Sequence, residues 1–79
     1  LRAAVWKKYI GENIGQVPCL VCHSALINAF NFHCGHVIAE ANGGKTNIDN
    51  LRPICSLCNQ SMGTKDMILF KTLNFSLYT

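Results

Sequence analysis

The sequence predicts a small metal-stapled α+β domain with a helix at its N-terminus, and three observations carry that expectation. The chain has 79 residues, and a core of that size seldom stabilises a fold by more than about 3–5 kcal/mol, so a staple is expected. Four of the five cysteines fall in two pairs, Cys19-x-x-Cys22 and Cys55-x-x-Cys58. An odd total grouped in this way points to metal ligation in a reducing compartment rather than to disulfides. Finally, the 32 residues between the pairs leave room for a strand, an extended loop and a second strand, and the second pair sits where a helix can begin. The order knuckle, hairpin, helix is treble-clef-like, and residues 1–79 are expected to form one domain.

The elements follow in order. "LRAAVWKKYIG" reads as a helix over about residues 1–10: Leu1, Val5 and Tyr9 share one face, with Trp6 and Ile10 beside them. Lys7 and Lys8 suit the negative end of the helix dipole and Gly11 the C′ position. Trp6 and Tyr9 are expected in the core. After the turn-rich "GENIGQVP" comes the tight knuckle "CLVC". "HSALINAFNF" is ambiguous, but Phe30, Phe32 and Cys34 alternate with Asn31 and His33, so a strand is expected from about Phe30 through Val37 and Ile38. Gly35 marks a bulge or a close backbone approach.

"EANGGKTNIDN" is a polar loop turning at Gly43-Gly44, and "LRPI" is a short edge strand, because Pro53 has no N–H to donate. Ser56 can cap a helix starting at Leu57 and ending at Gly63; Thr64 can cap a further one, with Asp66 near its positive end. The tail "TLNFSLYT" is left open between strand and extended chain.

Two C-x-x-C pairs match what tetrahedral zinc requires, since a knuckle lets two sulfurs reach one ion at about 2.3 Å. Cys19, Cys22, Cys55 and Cys58 are the expected ligands of one structural Zn2+. Four protein ligands leave that ion no open position, so any chemistry must lie elsewhere. Cys34 shares parity with Phe30 and Phe32 and reads as a small buried hydrophobe.

Between the pairs stand "GHVI", a loop with "NGG", then "DNL" and "CSLCN". That order resembles the HNH endonucleases, the ββα-metal group, over a core of about residues 19–65. It is most similar to members with a four-cysteine zinc, among them phage junction-resolving nucleases and proteins of large eukaryotic DNA viruses; "SMGTKDM" is similar to that viral subgroup. In the family pattern a histidine ends the first strand, an asparagine follows the loop, and a histidine or asparagine sits on the helix. Those positions are His36, Asn50 and Asn59 here.

The resemblance implies hydrolysis of DNA phosphodiester bonds with one catalytic divalent ion, Mg2+ or Mn2+. It makes His36 the base that takes a proton from the attacking water. It makes Asn59 a ligand of the ion, and Asn50 the residue whose amide ties loop to strand and orients His36. Gly35 stands where many members place a metal-ligating aspartate or histidine, and glycine offers no ligand. Glu40, in the loop that follows, is a carboxylate that the sequence alone does not place. The implied setting is an intracellular, reducing compartment, the host cytoplasm or nucleus in the viral case.

Read without the family, each residue has a second role. His36 shares parity with Phe32, Cys34 and Ile38, so on a regular strand it faces the core unless Gly35 bulges. Asn59 can cap a helix, and Asn50 can form an Asx turn. His33 and His23 lie outside the pattern and are expected at the surface.

Seven Lys and Arg against four Asp and Glu give a formal charge of +3, and four thiolates around one Zn2+ lower it by two. That balance permits DNA as a partner without demanding it. Arg2, Lys7, Lys8, Lys45 and Arg52 are the candidate phosphate contacts. The modest charge and the 49% apolar content also suit a non-catalytic zinc-stabilised module that binds DNA or another protein. No apolar run approaches the ~20 residues that span a bilayer, and the N-terminus does not resemble a signal peptide, so no membrane is expected. Oligomeric state is left open.

Overall fold

The computed structural model describes residues 1–75. Helix α1 (Arg2–Tyr9) leads into a first antiparallel pair, β1 (Gln16–Pro18) and β2 (Leu26–Asn28), with Val17 opposite Ile27. The turn joining them is the Cys19–Cys22 knuckle, closed by Cys19 N–H donating to Ala25 O at 2.7 Å and His23 N–H to Cys19 O at 2.9 Å. The second pair is β3 (His33–His36) and β4 (Leu51–Ile54), in unbroken register from His33 opposite Ile54 to His36 opposite Leu51. Helices α2 (Ser56–Met62) and α3 (Met67–Phe75) complete the α+β fold. Among the described residues no helix is long and apolar enough to cross a membrane.

Aliphatic and aromatic side chains from every layer meet in one cluster: Val5 and Trp6 of α1, Ile27, Leu51 and Ile54 of the sheets, Phe32 just before β3, and Met62, Met67 and Phe70 of the helices. Each contributes roughly 1.5–3 kcal/mol of burial before entropy is counted. The Trp6 and Phe32 rings lie 5.2 Å apart and tilted, and α1 packs on β4. Arg2 fixes the same corner, its guanidinium 4.1 Å from the Phe32 ring centre and donating to the carbonyls of Ala29, Phe30 and Phe32. The Tyr9 hydroxyl donates to Ile48 O at 2.8 Å and accepts from Arg52 Nη1 at 2.7 Å. Trp6 and Tyr9 are thus structural, as expected.

Several expectations are corrected. In α1 the buried pair is Val5 and Trp6, while Leu1 is exposed; Gly11 does follow the helix with φ +125°. The second-pair strand begins at His33 rather than Phe30 and stops at His36. Asn28 Oδ1 accepts from the N–H groups of Phe30 and Asn31, so that segment becomes a turn and Phe30 stands 93% exposed. Helix α2 begins one residue earlier than expected: its N-cap is Cys55, whose sulfur accepts from Cys58 N–H at 3.4 Å, and Gly63 ends it. Helix α3 begins after Asp66, whose carbonyl accepts from Phe70 N–H, and not from a Thr64 cap. Of the tail, residues 72–75 continue α3 and 76–79 lie outside the described residues.

Candidate functional site

Cys19, Cys22, Cys55 and Cys58 are all buried, and their four sulfurs lie within 4.8 Å of one another. Cys22 and Cys55 Sγ are 4.0 Å apart. Sulfurs bound at 2.3 Å to one tetrahedral zinc sit about 3.8 Å apart, so the spacing of this cluster fits one ion. Backbone N–H groups already point at the sulfurs: Val21 and Cys55 donate to Cys19 Sγ at 3.4 and 3.3 Å. Burial pushes the Cys58 and Cys55 thiols up, and for Cys58 the adjacent Cys55 sulfur adds to it. Burial also acts upward on Cys22, but hydrogen bonds from the Ala25 and Ser24 backbone and the Cys58 and Cys19 thiols outweigh it and bring it down to about 7. Crowded thiols that resist ionising together become good ligands once a dication neutralises them. Cys34 stays outside the cluster, half-buried, its thiol pushed up by burial.

A second site lies on the same helix, facing open space. A groove of about 160 Å³ is lined by His36, Glu40, Asn59, Thr64 and Lys65 over a floor that includes Ala39 and Met62. His36, the last residue of β3, is half-buried. The strand carries no bulge, yet its position at the strand end opens the imidazole to the groove instead of the core. His36 Nε2 lies 3.0 Å from Thr46 Oγ1 and 3.6 Å from Glu40 Oε1. Asn59, on the first full turn of α2, has its Nδ2 at 3.4 Å from His33 Nδ1, and its Oδ1 accepts no hydrogen bond among the described residues.

The loop between β3 and β4 is held by Asn50. Its Oδ1 accepts from Ile38 N–H at 2.9 Å, and its Nδ2 donates to Ile38 O and Lys45 O at 3.0 and 2.9 Å. Asn47 Oδ1 in turn accepts from Asn50 N–H, closing a 3₁₀ turn over Ile48–Asn50. Gly44 is required here: its N–H donates to Ala39 O, and a Cβ at this position would fall 1.7 Å from the Ile38 carbonyl oxygen. The far side is tied by Asp66, whose carboxylate accepts from Ala39 N–H at 2.8 Å and Asn42 Nδ2 at 3.0 Å. The Asn42 amide first, then the Ala39 N–H, holds that carboxyl below its ordinary value.

Gly35 proves to be a close approach rather than a bulge. A Cβ there would lie 2.4 Å from Ile54 Cδ1 and 3.1 Å from Met67 Cε, so core side chains fill the space a ligand would need.

The structure therefore brings His36 and Asn59 to one groove and puts Asn50 behind the loop, 3.0 Å or less from the backbone it binds. Sequence reasoning missed Thr46 beside His36, the His33–Asn59 contact, and Lys65 on the groove wall. Only the proximity of "MGTK" to Asn59 hinted at the last. The expected phosphate contacts also divide. Lys7 pairs with Glu12 at 3.0 Å and Lys8 with Asp49 at 2.7 Å, and Arg2 and Arg52 are spent on internal contacts. Among the described residues the ammonium groups of Lys45 and Lys65 make no ion pair or hydrogen bond.

A closed four-sulfur cluster under a knuckle, a hairpin ending in histidine and a helix carrying asparagine define a treble-clef-like ββα domain. A model of the HNH endonuclease family matches residues 19–67, more than half of the chain. The chain belongs to the HNH endonuclease family. No curated protein and no solved structure matches it.

Proposed function

We propose that this protein is a metal-dependent nuclease that hydrolyses DNA phosphodiester bonds in the His36–Asn59 groove, with Zn2+ in the four-cysteine cluster as a structural staple. The observation that carries the reading is the convergence of His36 and Asn59 on one open groove while the four paired cysteines cluster elsewhere. With Nε2–H donating to Thr46 Oγ1, the other ring nitrogen keeps a lone pair that can accept a proton. His36 then takes a proton from a water in the groove as that water's oxygen bonds to phosphorus and the bond to the leaving oxygen breaks. Asn50 keeps the loop, and with it Thr46, in place against the strand. Lys65 and Lys45 offer charge to the DNA backbone without reading its bases.

The groove residues fit a divalent ion, because Asn59 Oδ1 accepts no hydrogen bond among the described residues and hard cations take neutral amide oxygens alongside water. Asn59 would hold Mg2+ or Mn2+ there, and that ion would stabilise the negative charge that develops as the phosphodiester is cleaved. Thiolate ligation of zinc suits a reducing compartment.

The sealed space at Gly35 favours a second reading, a zinc-stabilised module that binds DNA or a protein partner without cutting. One experiment separates the two. Purified protein with Mg2+ or Mn2+ should cleave supercoiled plasmid. His36→Ala should slow cleavage at least ~10²-fold while changing stability by less than about 1 kcal/mol, since one hydrogen bond to an exposed hydroxyl is lost. Wild-type protein that binds DNA but leaves plasmid intact with either ion overturns the nuclease reading in favour of the second.

A further inference from the structure

We propose that Glu40 is the anionic ligand of the groove's divalent ion, replacing from the loop the side chain that position 35 lacks. This inference rests on the nuclease reading of the groove. Position 35 cannot supply the ligand, because Ile54 and Met67 occupy the space beyond its Cα. The chain has four carboxylate side chains, and three are engaged away from the groove. Glu12 pairs with Lys7, Asp49 with Lys8, and Asp66 accepts from Ala39 and Asn42. Glu40 alone lines the groove with His36 and Asn59. Its closest partner is His36 Nε2 at 3.6 Å, too far for a hydrogen bond, and its side chain is 72% exposed.

The backbone carrying Glu40 is nevertheless fixed. Asn42 and Gly44 N–H donate to Ala39 O, Gly43 N–H donates to Glu40 O, and Asp66 holds Ala39 N–H. The result is an anchored residue that presents an exposed carboxylate on the groove wall, where it can meet an ion.

Charge supports the same assignment. A bare carboxylate on the wall of a groove that must receive a phosphate repels it. A dication between the two anions reverses the sign. One carboxylate, one amide oxygen, a phosphate oxygen and water make up a shell that Mg2+ or Mn2+ accepts, since such ions are held by one or two carboxylates and keep several waters.

The test uses the zinc-loaded full chain and Mn2+ as the probe. In wild type, Mn2+ should broaden the NMR amide signals around His36, Glu40 and Asn59, and calorimetry should give a Kd. Glu40→Gln should weaken that Kd about tenfold or more, with an unchanged melting temperature, and plasmid cleavage should recover at higher Mn2+. Glu12→Gln, the control, should match wild type. Unchanged Mn2+ affinity in Glu40→Gln, with wild type binding and cleaving, overturns the Glu40 assignment and leaves the nuclease reading standing. Slower cleavage at unchanged Mn2+ affinity also overturns it, because Glu40 would then act on His36 alone. Mn2+ binding that depends on Glu40 without cleavage by any variant supports the site and removes the nuclease reading. A wild type that neither binds Mn2+ nor cleaves removes both.

Discussion

Cys58 and Asn59 are neighbours in the chain, yet they face opposite kinds of site. One residue of α2 is a turn of about 100°, enough to point Cys58 into a closed cage of four sulfurs and Asn59 into an open groove. The cage is made by two short peptide segments, each folded round its own cysteine pair, with backbone N–H groups aimed at the sulfurs. The groove draws on the end of β3, the loop after it, α2 and the turn that follows α2, and among the described residues it contains no group of three acidic, histidine or cysteine side chains within metal-binding range. A staple needs all its ligands from the protein; a reactive ion needs positions left over for water and substrate. The two sites differ in the way those tasks differ.

The largest effect should come from breaking the closed side. Structural zinc in small modules contributes on the order of 10 kcal/mol, more than a core of this size supplies net. A strong chelator should therefore abolish the cooperative thermal transition followed by circular dichroism. Cys55→Ser should do the same, because that sulfur is both a cluster member and the cap of α2. A melt unchanged by metal removal would mean the four thiols only pack.

That asymmetry also explains what was legible in the sequence. Ligand spacing is local, so the four cysteines, the α+β order and Gly63 after α2 could be read directly. Asn50 was legible because its partners, Ile38 and Lys45, lie on the loop it closes. The groove was only half legible. Glu40 and Lys65 reach it through the path of two loops, and no periodicity encodes that path. The strand start was misplaced because Phe30 and Phe32 alternate like core residues, while the Asn28 side chain competes for the backbone and turns Phe30 outward. Strand β1 escaped notice because three residues ending in Pro18 carry almost no strand signal.

An intermediate effect should come from forcing the family pattern onto the open side. From sequence alone, Gly35→Asp promises to restore a metal ligand if the backbone tolerates a Cβ. The structure reverses that expectation, since the new carboxylate would enter the space of Ile54, which is fully buried, and of Met67. Overpacking and burial of a poorly solvated acid should destabilise the zinc-loaded protein by roughly 2–4 kcal/mol. The denaturation midpoint should fall, and Mn2+ affinity should not improve. A variant as stable as wild type with tighter Mn2+ binding would show that the core around position 35 yields to a side chain.

The smallest effect should sharpen the comparison from inside the knuckle. His23 follows Cys22 with φ +58°, the left-handed region that a side chain with a Cβ seldom adopts. Its N–H closes the knuckle on Cys19 O, so the backbone cannot relax without opening the cysteine pair, and the imidazole is exposed with no hydrogen bond among the described residues. Glycine accepts that conformation freely but starts from a more disordered unfolded chain. The balance should leave His23→Gly more stable by about 0.5 kcal/mol, seen as a higher denaturant midpoint at an unchanged slope. Because the knuckle and the groove share no side chain, Mn2+ affinity and cleavage should match wild type. A loss of stability instead would mean that the imidazole contributes to the cage, and the closed site would then be larger than its four sulfurs.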